Sequence, residues 1–295
     1  SGGRFRAAEE LVTVLTRQIV ASVVSSALAE DAPWGDLTVQ LAIPADATID
    51  TRVVAREGGV FAGGPLIAEA FAQCDPRITV TELVPEGTAF RAGDVLARIA
   101  GPARGVLTGE RVALNFSQRM SGIATLTAAF VAAVAHTNAR IADTRKTTPG
   151  LRALEKHAVR AGGGSNHRFG LSDAIMVKDN HLVALGAVDA ATTTHALRGL
   201  REQVGHTTSI IVEVDRVDQI EAVLAANVTG ILLDNFTNAQ LEEGVRLIGD
   251  RAVAEASGGV TLETVAGIAE TGVDVISVGQ LTHGARALDL GLDAG

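Results

Sequence analysis

Cysteine, aromatic residues and long apolar runs are all scarce in this sequence. Its 295 residues include one cysteine, Cys74, so no internal disulfide can form, and a disulfide-stapled secreted scaffold is excluded. Aromatic residues make up 3% of the chain and tyrosine is absent, which argues against a base-stacking surface for single strands. The longest clean apolar run, residues 128–135, falls far short of the roughly 20 residues that a membrane helix needs.

Basic residues are also fewer than acidic residues. The chain has 25 Lys and Arg against 34 Asp and Glu, a net charge of −9, which argues against a general nucleic-acid binder. Apolar residues make up 47% and charged residues 20%, as in ordinary globular proteins. We therefore predict a cytoplasmic protein with no nucleic-acid or membrane partner. The length fits two domains, or one large barrel with an attachment.

The first third of the chain has the pattern of a mixed α+β domain. Short strand-like runs at residues 51–56, 78–83 and 95–99 are separated by turn signals, and a helix is predicted over residues 65–73. Two further helices are predicted at residues 108–120 and 124–135, with a break at Ser121-Gly122.

After this region, short apolar strands alternate with amphipathic helices six times. The predicted strands are residues 139–144, 174–177, 209–214, 230–233, 252–256 and 273–278. Repeated βα units with nearly all-apolar strands predict a parallel sheet covered by helices. No GxGxxG follows the first of these strands, so a barrel of six to seven strands is favoured over an open dinucleotide-binding sheet.

Each predicted strand ends in polar groups, and in a βα barrel the working residues lie at those ends. These ends are Asp143-Thr144-Arg145-Lys146, Lys178-Asp179-Asn180-His181, Glu213-Val214-Asp215, Asp234-Asn235, Glu255-Ala256-Ser257-Gly258-Gly259 and Gly279-Gln280. One polar strand end means little, because loops are polar in general. Six together indicate a functional site.

Positive charge is concentrated between His136 and His181. This segment carries eight Lys or Arg against four acids, a surplus of four in an acidic chain. Arg152 and Lys156 fall in a predicted helix and are interpreted as solvated surface residues. The other cations that matter lie at strand ends or in loops, where they predict a small anionic ligand; they are Arg145, Lys146, Arg168 and Lys178.

Glycine follows the last two strands. Ser257-Gly258-Gly259 and Gly279 predict a phosphate-binding turn, since barrels often bind phosphate at their last two loops. Glu213 and Asp234 suit Mg²⁺ or ribose hydroxyls, or alternatively a structural ion pair. No cluster of His and Cys residues has the spacing of zinc ligands. Two mechanisms stay open at this point: a Schiff base on a lysine, or group transfer in which the cations only position anions.

The motifs in their order closely resemble those of the quinolinate phosphoribosyltransferases, the decarboxylating nicotinate-nucleotide pyrophosphorylases. The resemblance covers nearly the whole chain. It rests on EDAPWGDLT (30–38), GERVALNFSQRMSGIATLT (109–127), DTRKTTPGLR (143–152), AVRAGGGSNHR (158–168), KDNH (178–181), LLDN (232–235) and ASGG (256–259).

This resemblance implies a fold, a reaction and an assembly. The fold is α/β: an N-terminal domain over residues 1–115, joined by the tail 284–295, and an incomplete αβ, TIM-like barrel over residues 116–283. The reaction joins quinolinate to phosphoribosyl pyrophosphate, giving nicotinate mononucleotide, pyrophosphate and CO₂ with Mg²⁺ and no organic cofactor. The assembly is a homodimer with shared active sites.

The resemblance also implies roles for individual residues. The implied quinolinate pocket consists of Thr144, Arg145, His167, Arg168 and Lys178, with Arg111 from the partner subunit. Lys146 would hold the pyrophosphate side, and Glu213 and Asp234 would face the ribose and Mg²⁺. The implied 5′-phosphate site consists of Ser257, Gly258, Gly259, Gly279 and His283. Lys146, Lys178, Glu213 and Asp234 are the expected catalytic residues.

Three other functions are weighed against this one. A paralogue associated with molybdenum transport would share the phosphate loops but lack the dicarboxylate pocket. A Schiff-base lyase on the same barrel would be trapped by borohydride with a carbonyl substrate. A catalytically silent phosphate-binding regulator has no need of both Glu213 and Asp234.

Overall fold

The computed structural model describes residues 15–294, and the statements below concern these residues. They form two compact units. The first holds residues 15–128, 148–163 and 285–294, and the second holds residues 129–147 and 164–284. In the described part of the chain, no helix is both long enough and apolar enough to cross a membrane.

Twelve strands occur in the described residues. In chain order they are β1 (Thr48–Ala55), β2 (Gly59–Val60), β3 (Thr79–Thr81), β4 (Ala89–Phe90), β5 (Val95–Pro102), β6 (Arg140–Ala142), β7 (Ile175–Val177), β8 (Ile210–Val214), β9 (Gly230–Asp234), β10 (Val253–Ser257), β11 (Val275–Ser277) and β12 (Leu290–Ala294).

Eleven α-helices occur in the same residues. In chain order they are α1 (Arg17–Asp31), α2 (Leu37–Ala42), α3 (Gly64–Cys74), α4 (Ala103–Ala133), α5 (Arg152–Ala161), α6 (Asp179–Ala184), α7 (Ala190–Glu202), α8 (Ile220–Leu224), α9 (Asn238–Ile248), α10 (Val265–Glu270) and α11 (Gln280–His283). Several begin at a side chain that accepts a backbone N–H, as Thr16 does for α1 and Asp36 for α2.

An antiparallel sheet in the order β12-β1-β5-β3 organises the first unit. The predicted strands at 51–56, 78–83 and 95–99 and the predicted helix at 65–73 are confirmed as β1, β3, β5 and α3, with shifted ends. The C-terminal tail supplies β12, which pairs with β1 over Thr51–Ala55. The C-terminal tail thus joins the sheet of the first unit.

The predicted break at Ser121-Gly122 is wrong, because α4 runs unbroken from Ala103 to Ala133. Both small residues allow other segments to pack closely against α4. The Ser121 hydroxyl donates to the Ala62 carbonyl oxygen and accepts from the Ala62 N–H, each at 3.1 Å. A Cβ on Gly122 would overlap the carbonyl oxygen of Arg286. Small residues here let the tail approach the helix, which offsets their low helix propensity.

The prediction that Arg152 and Lys156 are solvated is also wrong. Lys156 is completely buried and Arg152 is half-buried. Almost every residue of α5 is buried, since polar partners in the same unit compensate its charges. Glu155 pairs with Arg119 at 2.8 Å, and His157 Nε2 lies 2.8 Å from Glu86.

A six-stranded parallel sheet in the order β6-β11-β10-β9-β8-β7 organises the second unit. All six predicted strands are confirmed within one or two residues at each end. Strands β6 and β7 are the two edges of this sheet and do not pair with each other, as the predicted incomplete barrel requires. The central strand β9 buries Gly230, Ile231, Leu232 and Leu233, as expected for a strand covered on both faces.

The limits of the two compact units differ from the predicted domain boundaries. The division falls inside α4, at residues 128 and 129, and not at residue 115, since α4 is one continuous helix. The segment 148–163, which contains α5, belongs to the first unit because it packs there. Gly162, for example, lies so close to the Ala124 carbonyl oxygen that a Cβ would overlap it.

Candidate active site

A cavity of about 940 Å³ opens at the carboxyl ends of the parallel strands in the second unit. The strand register explains why polar groups from different strands meet there. Ser257 pairs with Asp234 on one side and with Ser277 on the other, so the ends of β9, β10 and β11 lie level. A cavity of this size accommodates a substrate of cofactor dimensions.

A buried carboxylate positions the loop that follows α5. Asp143, at the end of β6, is fully buried. It accepts the Asn166 side-chain N–H at 2.6 Å and the His167 backbone N–H at 2.8 Å. His167 in turn uses Nδ1 to accept the Arg168 backbone N–H at 2.7 Å. The loop therefore presents His167 and Arg168 to the cavity from a fixed backbone.

Two guanidinium groups lie near each other in this cavity. Burial, followed by the charge of Arg145, lowers the pKa of Arg168 from its ordinary value. The Arg168 guanidinium also donates to the Ala174 carbonyl oxygen at 3.0 Å, which fixes its orientation. Neighbouring like charges of this kind repel each other, and a bound anion would relieve that repulsion.

Acidic side chains face these cations from the middle strands. Glu213 on β8 forms an ion pair with the Lys178 ammonium at the end of β7. Asp234 on β9 accepts the Asn235 side-chain N–H at 2.7 Å. The cavity is therefore lined by cations that follow β6 and β7 and by carboxylates on β8 and β9, with Lys178 and Glu213 in direct contact.

The turn after β10 has a glycine backbone that other residues cannot easily adopt. Gly258 has φ +100° and Gly259 has φ +60°. A Cβ on Gly258 would overlap the Asn235 side-chain oxygen and lie 2.9 Å from the Asn235 nitrogen. Both glycines line the cavity. Backbone N–H groups in such turns are suited to phosphate.

The third glycine brings two distant side chains together. A Cβ on Gly279 would lie 3.1 Å from both His283 Nε2 and Lys146 Cδ. The Thr282 hydroxyl donates to the Lys146 carbonyl oxygen at 2.6 Å, which ties the end of β6 to α11. A cation and an imidazole therefore lie beside a glycine at the last strand end, as an anion site requires.

Two family models match this chain. The quinolinate phosphoribosyl transferase N-terminal domain matches residues 36–121 and the C-terminal domain matches residues 123–293. The chain belongs to the quinolinate phosphoribosyltransferase family.

Individual relatives agree with this assignment. The chain is 44% identical to nicotinate-nucleotide pyrophosphorylase (carboxylating) of Mycobacterium leprae, covering 92% of this chain and 95% of that protein. It is 43% identical to quinolinate phosphoribosyltransferase (decarboxylating) 1b of Nicotiana tabacum, covering 92% and 81%. The crystal structure of NadC from Streptococcus pyogenes superposes with a TM-score of 0.89 at 38% identity, covering 95% and 99%.

All but one of the site residues predicted for this family member line the cavity. They are Thr144, Arg145, Lys146, His167, Arg168, Lys178, Glu213, Asp234, Ser257, Gly258, Gly259, Gly279 and His283. The exception is Arg111, an exposed residue of α4 in the first unit.

Several polar residues at this site have no predicted role, and four of them bear on the position of His167. Asp143 and Asn166 hold the His167 loop, and Glu255 and Ser277 lie in the cavity wall. A sequence signal exists for Glu255, an acid within the apolar strand β10. It lies two residues before Ser257 and therefore on the same face of the strand. The contacts of Asp143 involve residues more than twenty positions away, so they have no local signal.

Proposed function

We propose that this protein transfers the phosphoribosyl group of phosphoribosyl pyrophosphate to quinolinate and releases pyrophosphate and CO₂, giving nicotinate mononucleotide for NAD synthesis. The observation that carries the proposal is that Arg145, Arg168 and Lys178 line the same cavity as a glycine turn. Family membership supports the same reaction. We also propose the cytoplasm as its compartment.

The cations that line the cavity suit a pyridine with two adjacent carboxylates. Arg145 and Arg168 offer planar forks for carboxylate oxygens, and Lys178 adds a third cation. The lowered pKa of Arg168 reflects a desolvated guanidinium next to another cation. We assign these residues, with Thr144 and His167, to quinolinate.

The glycine turns of the cavity suit phosphoribosyl pyrophosphate. Ser257, Gly258 and Gly259, with Gly279 and His283, would hold the 5′-phosphate through backbone and side-chain donors. Lys146 lies beside Gly279 and would hold the pyrophosphate. Glu213 and Asp234 would face the ribose.

The donor set fits a Mg²⁺ ion that phosphate oxygens and water hold in large part. Within residues 15–294, no three His, Cys, Asp or Glu side chains are grouped closely enough to hold a metal by themselves. Mg²⁺ at phosphate sites often takes only one or two carboxylates from the protein. Asp234 and Glu213 are the two acids that would hold it. When bound, Mg²⁺ would neutralise charge on the pyrophosphate leaving group.

The protein contributes position and electrostatics to the chemistry. The pyridine nitrogen forms a bond to ribose C1 as the bond from C1 to pyrophosphate oxygen breaks. The carboxylates of Glu213 and Asp234 stabilise the positive charge that develops on the ribose. The product pyridinium accepts the electron pair left by departing CO₂, and C2 then takes a proton. Arg145, Arg168 and Lys178 hold the ring throughout.

The first experiment mixes purified protein with quinolinate, phosphoribosyl pyrophosphate and Mg²⁺, and measures nicotinate mononucleotide and CO₂. We expect equal amounts of both products, dependence on Mg²⁺, and no product when nicotinate replaces quinolinate. Borohydride with a carbonyl substrate should trap no adduct on Lys146 or Lys178. A folded protein that gives no product would refute the proposal.

We further propose a homodimer in which Arg111 completes the quinolinate site of the partner. Two observations support this. Arg111 is exposed and lies outside the cavity-lining set of the second unit. Large apolar side chains are also exposed, including Trp34, which is 90% exposed, and Leu41 in the first unit and Val183 and Val188 in the second. Burial of such residues between two copies would stabilise a dimer.

Mixing two inactive variants tests this arrangement. In a hybrid dimer of Arg111→Ala and Arg145→Ala chains, one site would have both arginines and the other would have neither. After subunit exchange, a random mixture should regain about one quarter of wild-type activity. If Arg111 acts within its own chain, or not at all, the mixture gains nothing over the separate variants. Light scattering of each variant checks that the dimer persists.

A further inference from the structure

Glu255 is a buried carboxylate that the proposed reaction does not use. It lies in the middle of β10 between Ala254 and Ala256 and is 4% exposed. A buried acid must be compensated by hydrogen bonds or by charge, because its desolvation is costly. Its Oε1 accepts a hydrogen bond from the Ser277 hydroxyl on the neighbouring strand β11. The same oxygen lies 3.4 Å from Nε2 of His167.

The two ring nitrogens of His167 have different surroundings. Nδ1 accepts the backbone N–H of Arg168 at 2.7 Å, so Nδ1 carries no proton. The ring proton is therefore on Nε2, which faces Glu255. The His167 backbone is separately held by Asp143. The remaining freedom of this side chain is rotation of the ring. The Arg168 N–H opposes that rotation through its hydrogen bond to Nδ1, and the carboxylate charge of Glu255, 3.4 Å from Nε2, opposes it electrostatically.

These side chains also separate two neighbouring cavities. His167, Arg168 and Glu255 line the catalytic cavity, and the same three line a second cavity of about 280 Å³. The second cavity includes residues at the amino ends of the strands, such as Gly230 and Val253. A shift of Glu255 would therefore change the cavity wall against which quinolinate is proposed to bind.

We propose that Glu255, oriented by Ser277, is a positioning residue whose charge beside Nε2 holds the ring orientation of His167 for quinolinate binding. The proposal rests on the proposed function for its substrate, but the contact between Glu255 and His167 exists without substrate. Ser277 keeps the carboxylate turned toward Nε2. Displacement of a substrate-positioning ring by about 1 Å can cost up to about 100-fold in rate.

A double-mutant cycle tests the link to His167. Calorimetry gives the Kd for quinolinate of wild type, Glu255→Gln, His167→Ala and the double variant. We expect Glu255→Gln to weaken quinolinate binding several-fold in the wild-type background and not at all in the His167→Ala background. The KM for phosphoribosyl pyrophosphate should stay unchanged. An equal effect of Glu255→Gln in both backgrounds would overturn the proposal.

A spectroscopic measurement needs neither substrate nor activity. In protein with ¹⁵N-labelled histidine, the wild-type His167 signals should be those of a neutral ring protonated at Nε2, and His167→Ala identifies them. Glu255→Gln and Ser277→Ala should both shift these signals. Unchanged signals in both variants would refute the positioning role. This outcome is distinct from failure of the proposed function, in which the wild type would give no product.

The chain provides a matched control. Glu86 and His157 form another His–Glu pair in the first unit, in which His157 is buried and Glu86 is partly buried, with His157 Nε2 2.8 Å from the Glu86 carboxylate. Glu86→Gln should lower the Tm while leaving the His167 signals unchanged. If Glu86→Gln shifts the His167 signals as much as Glu255→Gln does, the effect is general destabilisation and the proposal fails. Since Glu255→Gln and Ser277→Ala preserve or reduce side-chain volume, both variants are expected to fold.

Discussion

Gly258→Ala tests whether the proposed phosphate turn depends on its packed glycine. Gly258 has φ +100°, and a Cβ there would overlap the Asn235 side-chain oxygen and lie 2.9 Å from the Asn235 nitrogen. The Asn235 backbone cannot easily move away from the new Cβ, because its N–H donates to the Ser257 carbonyl oxygen at 2.9 Å. The alanine must therefore displace the turn itself.

The magnitude follows from two costs. A residue held at such a φ costs about 1–3 kcal/mol, and overpacking of this kind costs about 1–3 kcal/mol. We expect the free energy of unfolding to fall by the sum of these costs, about 2–6 kcal/mol, which lowers the Tm by roughly 4–24 °C. The displaced turn should raise the KM for phosphoribosyl pyrophosphate at least about ten-fold, since each 1.4 kcal/mol of lost binding is ten-fold. The Kd for quinolinate should change little.

Gly93→Ala is the matched control. Gly93 has φ +90°, but no atom lies within 4 Å of the position that a Cβ would take. The free energy of unfolding of the Gly93→Ala protein should fall only by the cost of a left-handed backbone at alanine, about 1–2 kcal/mol. Its KM values should match those of the wild type. Thermal melting and initial rates at saturating quinolinate measure both effects. A Gly258→Ala protein with wild-type Tm and wild-type KM for phosphoribosyl pyrophosphate would refute the reasoning.

Three further variants test other parts of the structure. Arg145→Ala should lower kcat/KM for quinolinate by roughly 10- to 150-fold, the loss of one charge-assisted contact, and near-normal rates would disprove the pocket assignment. Gly122→Ala should lower the Tm although alanine favours helix, because its Cβ would overlap the Arg286 carbonyl oxygen. Its control is Gly199→Ala in α7, where the space around the new Cβ is open, and this variant should stabilise the folded protein by up to about 1 kcal/mol. A hydrogen bond from Arg286 lowers the pKa of Glu57 to about 2, so the stabilisation by Glu57 is complete above its ordinary pKa of 4.5 and is lost as the pH falls toward 2. The Tm difference between wild type and Glu57→Gln should therefore shrink over that range, and a constant difference would contradict the pairing.

Local pattern in the sequence predicted most of the second unit. Six apolar runs became β6 to β11 because a strand buried on both faces must be apolar along its length, and this requirement is visible without a structure. Polar groups at the ends of those strands marked the cavity, since parallel strands place their carboxyl ends at one edge. The roles of the individual residues came from the family resemblance, and they stay predictions.

Long-range packing decided what the sequence pattern could not. Ser121-Gly122 looks like a helix break in isolation, but contacts with Ala62 and with Arg286 use those small residues inside one helix. Lys156 looks like a surface cation, yet α5 is buried nearly all round. The contacts that decide both cases join α4 and α5 to residues far away in the chain, such as Arg286 for Gly122 and Glu86 for His157.

The sequence by itself determined the barrel strands, their polar ends and the family of this protein, because these depend on local periodicity and on motifs that are contiguous in the chain. The tertiary structure alone decided that Glu255 and Ser277 meet beside His167, and that Gly279 brings Lys146 next to His283. Register between neighbouring strands sets these encounters. The physical reason is that a side chain's partner across a sheet is fixed by hydrogen bonds between strands, which a single strand's sequence does not encode.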